Sequence, residues 1–252
     1  MSNKIISNAR VAALGLAALF VSACSENSDR VTVGASAPTT QPPPPPAMAT
    51  FEVTVTNLTN AQPLSPIAVI AHQDGYSVFN IGTAATVGLE ELAEGGDNSA
   101  LLAEADAASP VVATASGAAP IGPAGSETIT IEVLESDLPG LTISTSTMLV
   151  NTNDAITGVN AIAVGDLAAG DSASLRSIAY DAGTEANTEA ATDIPGPAGG
   201  GEGFNAARDD LADRVAMHIG VVSQDDSKPT SDLTGQHRFD NPVAATRITR
   251  IN

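Results

Sequence analysis

The sequence holds one cysteine, no tryptophan, two tyrosines and five phenylalanines in 252 residues, and ten lysines and arginines against 29 aspartates and glutamates. A lone cysteine excludes an intrachain disulfide. The scarcity of aromatic rings argues against a sugar site built on aromatic platforms and against a base-stacking surface, and leaves the core to Val, Ile, Leu and Ala. A formal charge of -19 leaves nothing to neutralise phosphates, which excludes a general affinity for nucleic acid. Binding to anionic headgroups through protein charge alone is excluded too; it would need a bridging cation or a lipid anchor. So acidic a surface is otherwise a means of staying soluble in a salty or calcium-bearing medium.

The N-terminus carries a different signal. Lys4 and Arg10 precede an uncharged Ala/Leu-rich run from Val11 to Ala23, too short to span a bilayer as a helix. The run ends in Val21-Ser22-Ala23 directly before Cys24, small residues at the position of a cleavage site. This resembles a bacterial lipoprotein signal, which implies removal of residues 1–23 and a lipid on Cys24. The alternative is an ordinary signal peptide with an incidental thiol. Ser25 stands where inner-membrane retention would favour Asp, so the expected location is the outer membrane of the cell envelope, facing the periplasm or the surface. Residues 24–49 are polar and then proline-rich, with Pro42 to Pro46 unbroken. Such a run favours an extended spacer and cannot pack a core, so it reads as a tether rather than a proline-recognition ligand.

The folded region is placed at residues 50–252. Phe51-Glu-Val53-Thr-Val55-Thr-Asn57 alternates strictly and predicts a half-buried strand. Further strands are predicted at Ile67–His72, Val111–Ser116, Glu127–Leu134, Leu141–Val150, Val159–Val164, Ser172–Tyr180 and Val243–Ile251, with Gly, Pro, Asn and Asp marking most of the gaps. Such a series argues for an all-β antiparallel sandwich of one domain. Gly88 to Ala108 breaks the pattern and predicts two short helices separated at Gly95-Gly96. A long Pro/Gly loop follows Asp193, and a helical turn is predicted from Ala206 to Met217.

Carboxylates appear on two of the predicted loops. Asn153-Asp154 lies in one, and Asp181-Ala-Gly-Thr-Glu185 follows a later strand. Acids supplied by two loops at one end of a sandwich make a cage for a hard divalent cation, above all calcium. Gly183 permits the positive φ of a tight reversal, so Asp181 and Glu185 can turn toward one point. Without a cation these charges would repel and raise one another's pKa. The alternative is that Asp181 makes an Asx-turn and Glu185 is a solvated charge.

Asn60-Ala-Gln-Pro63-Leu-Ser65-Pro66, Met148-Leu-Val-Asn151-Thr-Asn-Asp154-Ala-Ile-Thr-Gly158, Ala179-Tyr-Asp181-Ala-Gly-Thr-Glu185-Ala-Asn187 and His237-Arg-Phe-Asp240-Asn-Pro242-Val243 together resemble the spondin domain in a short bacterial form. The resemblance implies an eight-stranded antiparallel β-sandwich, similar to calcium-dependent phospholipid-binding (C2) domains. It also implies a calcium ion at one end, a role that falls on Asp154, Asp181 and Glu185. Glu185 departs from the Asp usual in animal members. Those members also carry cysteines and tryptophans absent here, so their partner surfaces are not implied.

Other motifs carry less. His72, His218 and His237 form no ligand-spaced pair, which argues against zinc or iron; His237 is expected to order the loop before the last strand. Gly201-Glu-Gly203-Phe-Asn-Ala206 matches a dinucleotide motif but follows a Pro/Gly loop rather than a strand. Gly170-Asp-Ser172 resembles an esterase nucleophile segment without its C-terminal Asp-x-x-His partner. The expectation is a lipid-anchored, non-catalytic calcium-binding adhesion protein whose ligand is an envelope glycan, a lipid headgroup or a protein. An envelope hydrolase using the acids as acid and base, and a purely structural lipoprotein, are the alternatives.

Overall fold

Strict alternation in the first strand, β1 (Met48–Asn57), buries Ala49, Phe51, Val53 and Val55 and turns Glu52, Thr54 and Thr56 outward. In the computed structural model, which describes residues 44–207 and 213–252, β1 pairs on one side with β4 (Ser126–Leu134) and on the other with β10 (Ala244–Arg250), both antiparallel. Strand β7 (Ser172–Ser177) completes a four-stranded sheet in the order β4-β1-β10-β7. The second sheet holds β3 (Val111–Ser116), β2 (Ala68–His72), β5 (Thr142–Met148), β6 (Ala155–Ala163), β8 (Ala179–Asp181) and β9 (Ala216–Met217), in the order β3-β2-β5-β6-β8-β9. Phe51, Val53, Ile131 and Ile248 of the first sheet meet Val69, Ala71, Ile143 and Ala155 of the second in one core. The expected all-β sandwich is therefore present, with ten strands among the described residues. The signal segment 1–23, Cys24 and the tether up to residue 43 lie outside the described residues; β1 already includes Met48 and Ala49, which the composition had placed in the tether.

Helices α1 (Val87–Gly95) and α2 (Ser99–Asp106) form where predicted. Thr86 caps α1 by accepting from the Leu89 N–H, and the Gly96 N–H closes the helix on Leu92 O. Leu89, Leu92, Ala93, Leu101 and Ala105 pack over Ala68 and Ile70, so the helices cover the outer face of the six-stranded sheet. This explains why β2, Ala-Val-Ile-Ala-His, is buried at every position: Val69 and Ala71 face the sandwich core while Ala68 and Ile70 face the helices. Strand β5 is also fully buried despite four hydroxyl side chains before Met148 and one at its start; Thr142, Ser144 and Thr147 find partners, whereas Ser146 Oγ has none. Ser144 Oγ bonds His72 Nε2 at 2.7 Å, and Thr147 Oγ1 donates to Ser65 O at 2.8 Å.

Three elements differ from expectation. Strand β6 begins at Ala155 rather than Val159, directly after Asp154. The strand predicted over Ser172–Tyr180 is interrupted at Ile178 and serves both sheets, β7 pairing with β10 and β8 with β6. Thr157 Oγ1 donates to Ile178 O at 3.0 Å and bonds Ser177 Oγ at 2.8 Å, holding the crossing point against β6. Residues 213–217 form no helical turn; Ala216 and Met217 pair with Asp181 and Tyr180, because the exposed edge of β8 offers backbone partners that a helix would forgo. Residues 208–212 of that predicted turn lie outside the described residues. Among the described residues no helix is long and apolar enough to cross a membrane.

Candidate metal centre

The loop from β5 to β6 is set by its own polar side chains. Thr152 Oγ1 donates to Leu149 O at 2.6 Å and accepts from the Ala155 N–H at 3.0 Å, closing a turn that carries Asn153 and Asp154. Gln62, fully buried, pins this loop from below: its Nε2 donates to Asn151 O at 3.2 Å and to His237 O at 2.9 Å, while Oε1 accepts from the Asn151 N–H at 3.1 Å. Three of the strings singled out in the sequence, around residues 60, 151 and 237, thus meet in one hydrogen-bonded support. His237 orders its own turn by accepting from the Thr234 N–H at 3.1 Å.

Strand register brings the second loop to the first. Asp181 pairs with Ala155, and the Ala182 N–H donates to Asp154 O at 3.2 Å. Asp181 Oδ1 then accepts from the Gly183 N–H at 2.9 Å, an Asx-turn, and Oδ2 accepts from Asn187 Nδ2 at 2.6 Å. Gly183 takes φ +74°, the left-handed reversal expected of it. That reversal directs the Thr184 and Glu185 N–H groups onto Asp154 Oδ2, at 2.8 and 3.2 Å. Asp154, Asp181 and Glu185 are therefore gathered at one end of the six-stranded sheet. Glu185, half-buried, accepts from Asn153 Nδ2 at 3.4 Å, so it is not simply a solvated charge.

The electrostatics of the cluster are unusual for a carboxylate site. Asp154 is 0% exposed, its Oδ1 has no hydrogen-bond partner, and its pKa is pushed up to about 7. Burial is the largest cause and the Asp181 carboxylate the second, while the Thr184, Glu185 and Gly183 N–H groups pull the other way. His218 lies alongside, with Nδ1 accepting from the Gly220 N–H at 2.9 Å and a buried Nε2 that has no partner. Burial holds His218 below the usual imidazole range, against the opposing effect of Asp181 and Glu189. Glu189, also buried, accepts from the Val222 N–H at 3.1 Å and pairs with Lys228, whose ammonium donates as well to Asn187 O at 2.6 Å.

Glu189, His218 and Lys228 were not singled out as site residues from the sequence. Glu189 follows the recognised string by two residues, whereas His218 and Lys228 arrive through β9 and the loop after it and have no spacing signal. Among the described residues no three His, Cys, Asp or Glu side chains converge tightly enough to hold an ion by themselves. The donor chemistry nevertheless fits a hard cation. Asp154 Oδ1 is unpartnered, the Thr184 hydroxyl reaches Asp154 Oδ2 at 3.5 Å, and a positive charge there would offset the Asp154–Asp181 repulsion. Ser172 shows no comparable arrangement: its hydroxyl bonds Thr249 Oγ1 at 2.9 Å and accepts from Arg247 at 3.0 Å on the outer face of the other sheet.

The chain is a two-sheet antiparallel sandwich with its polar loops gathered at one end, and the family it matches is one of extracellular-type binding or structural domains. The Spondin_N family model matches residues 56–195, more than half of the chain, and the chain belongs to that family. The match spans Asp154, Asp181 and Glu185 but stops before β9 and β10, although β10 is an interior strand of its sheet. A comparison with curated proteins finds no match.

Proposed function

We propose that this spondin-family protein is a lipid-anchored, non-catalytic binding protein of the cell envelope whose sandwich holds one calcium ion at its loop end. The observation that carries the reading is the buried Asp154 carboxyl group, with one oxygen unpartnered and Asp181 beside it. Asp154, Asp181 and Glu185 would hold the ion, with Asn153 and Thr184 as neutral oxygen donors. Bound calcium would offset the like charges and tie the 149–154 loop to the 181–189 loop. Affinity is expected in the weak extracellular range, on the order of 0.1 to 1 mM.

Calorimetry and thermal melting in the presence of calcium test this. The melting temperature should rise with calcium, and Asp181→Asn should abolish the rise while leaving a folded protein in chelator. An unresponsive native chain, or a variant that responds equally, would rule the site out. The anchor rests on the Val21-Ser22-Ala23-Cys24 string and the proline-rich tether behind it. Membrane fractionation of the full chain checks it: the native protein should partition with the outer membrane and Cys24→Ser should appear in the soluble fraction. Equal partitioning of both forms would remove the lipid from the proposal.

A further inference from the structure

The sandwich is open on the side where β8 ends, and this side carries a second feature. Strand β7 is an edge strand, and its Leu175 is paired with Thr246, which faces the interior. Leu175 is nonetheless 51% exposed, because β6 on the opposite sheet is covered by β8 only from Ala155 to Thr157. The two sheets therefore leave a cleft of about 350 Å³ between them, lined by Phe79, Val159, Leu175, Arg176, Ile178 and Tyr180. The Phe79 and Tyr180 rings lie at its side, 4.7 Å apart between centroids and tilted by 50°. A second cavity, of about 330 Å³, shares Leu175 and Arg176 with the first and continues across the outer face of the four-stranded sheet.

This second cavity concentrates positive charge in a chain that has little of it. Arg176 is opposite Ala245 and Arg247 opposite Ser174, so the two side chains stand on the same face of adjacent strands as diagonal neighbours, two residue pairs apart along the ladder. Both are exposed, and neither has a carboxylate partner among the described residues, although the chain carries 29 acids. Among the described residues Arg247 donates to Ser172 Oγ, and the Thr56 and Ser174 side chains line the same cavity. Two adjacent cations left unpaired in so acidic a protein repel each other, and an anion placed between them offsets that repulsion with charge-assisted, bidentate hydrogen bonds.

We propose that this groove binds an acidic polysaccharide, with the carboxylate of a uronic acid residue held between Arg176 and Arg247. Thr56 and Ser174 supply hydrogen bonds to ring hydroxyls, and the exposed Leu175 receives the apolar face of the adjoining sugar. An anionic group bonded to a hydroxyl-bearing ring matches the guanidinium pair, the adjacent hydroxyls and the exposed Leu175 together. Each cavity is of the size that takes one or two sugar units. Recognition rests on guanidinium and hydroxyl groups, which accords with the scarcity of aromatic side chains. The chain's overall negative charge acts against approach only at low ionic strength, because at 0.15 M salt its field is screened over roughly 8 Å.

The test is calorimetry of the full chain, in detergent at 0.15 M salt with chelator present, against hexagalacturonate, maltohexaose, hexaglutamate and glycerophosphoglycerol, the soluble headgroup of phosphatidylglycerol. Hexagalacturonate should bind and maltohexaose should not. Arg176→Gln and Arg247→Gln should each weaken binding roughly tenfold with melting temperature unchanged. Because chelator is present throughout, this result is independent of the calcium site and survives its failure. Failure of hexagalacturonate to bind, or equal binding to both arginine variants, would overturn the proposal. Hexaglutamate or glycerophosphoglycerol binding as tightly as the uronate would overturn it in favour of an acidic peptide or a lipid headgroup.

Discussion

Gly183→Ala is expected to lower stability by about 3–5 kcal/mol and to abolish any calcium response. Two separate costs combine. At φ +74° an alanine pays on the order of 1 kcal/mol for its Cβ against its own carbonyl. The larger cost is external, because that Cβ would lie 2.4 Å from Arg214 O and 2.6 Å from Arg214 N, far inside contact distance. Arg214 cannot withdraw cheaply. Its neighbour Val215 donates to Thr83 O and accepts from the Gly82 N–H, each at 2.8 Å, and Val215 is itself buried. The reversal that sends Thr184 and Glu185 N–H groups onto Asp154 would have to open instead. Gly170→Ala provides the control, since φ there is +90° but nothing lies within 4 Å; it should cost only about 1 kcal/mol. Urea unfolding of both variants separates the terms, and similar losses for the two would refute the steric argument.

Asp154 carries the second large effect, and its sign depends on what replaces it. Asp154→Ala leaves the Thr184 and Glu185 N–H groups without their acceptor in a buried position, at a cost of about 2–4 kcal/mol. Asp154→Asn keeps an oxygen for them and removes the charge, so it should be tolerated far better in chelator. The native protein should also show a characteristic pH response in chelator. Its Asp154 proton is held up to about pH 7, against 3.8 for an ordinary aspartate, so the folded chain binds more protons than the unfolded one between those values. Stability therefore falls as pH rises from about 4 to about 7, and above 7 the loss is complete, by roughly 2–4 kcal/mol. Asp154→Asn should remove that part of the slope. Calcium should restore stability to the native chain at neutral pH and to neither variant. Unfolding at pH 5 and pH 8, with chelator and with calcium, provides the measurement; a native stability that rises over this interval in chelator would contradict the assignment.

Much of the architecture was legible because it is written in short-range pattern. The alternation of residues 51–57 and the Leu spacing around a Gly95-Gly96 break depend only on the period of a strand or a helix. The Asp-Ala-Gly-Thr-Glu string is legible for a related reason: an acid, a glycine and a second acid within five residues constrain one turn, whatever surrounds it. The failures were of another kind. Ser172–Tyr180 reads as one strand because its residues suit a strand throughout, and nothing local marks Ile178 as the crossing between sheets. Ala216–Met217 reads as the end of a helix because a two-residue strand has no period; only the exposed edge of β8 makes it one.

The same division runs through the two sites. The sequence by itself determined the all-β class, the helical insertion, the likeness to spondin domains and the acids at 154, 181 and 185, since each rests on residues close together in the chain or on a recognisable string. Tertiary structure alone decided that Asp154 is buried with one oxygen unpartnered, that His218 stands near Asp181 and Glu189 with Lys228 paired to Glu189, and that Arg176 and Arg247 are diagonal neighbours beside an open cleft. Burial and cross-strand neighbours are set by which segments the sheets bring into register, over separations of tens of residues, and no local pattern encodes them.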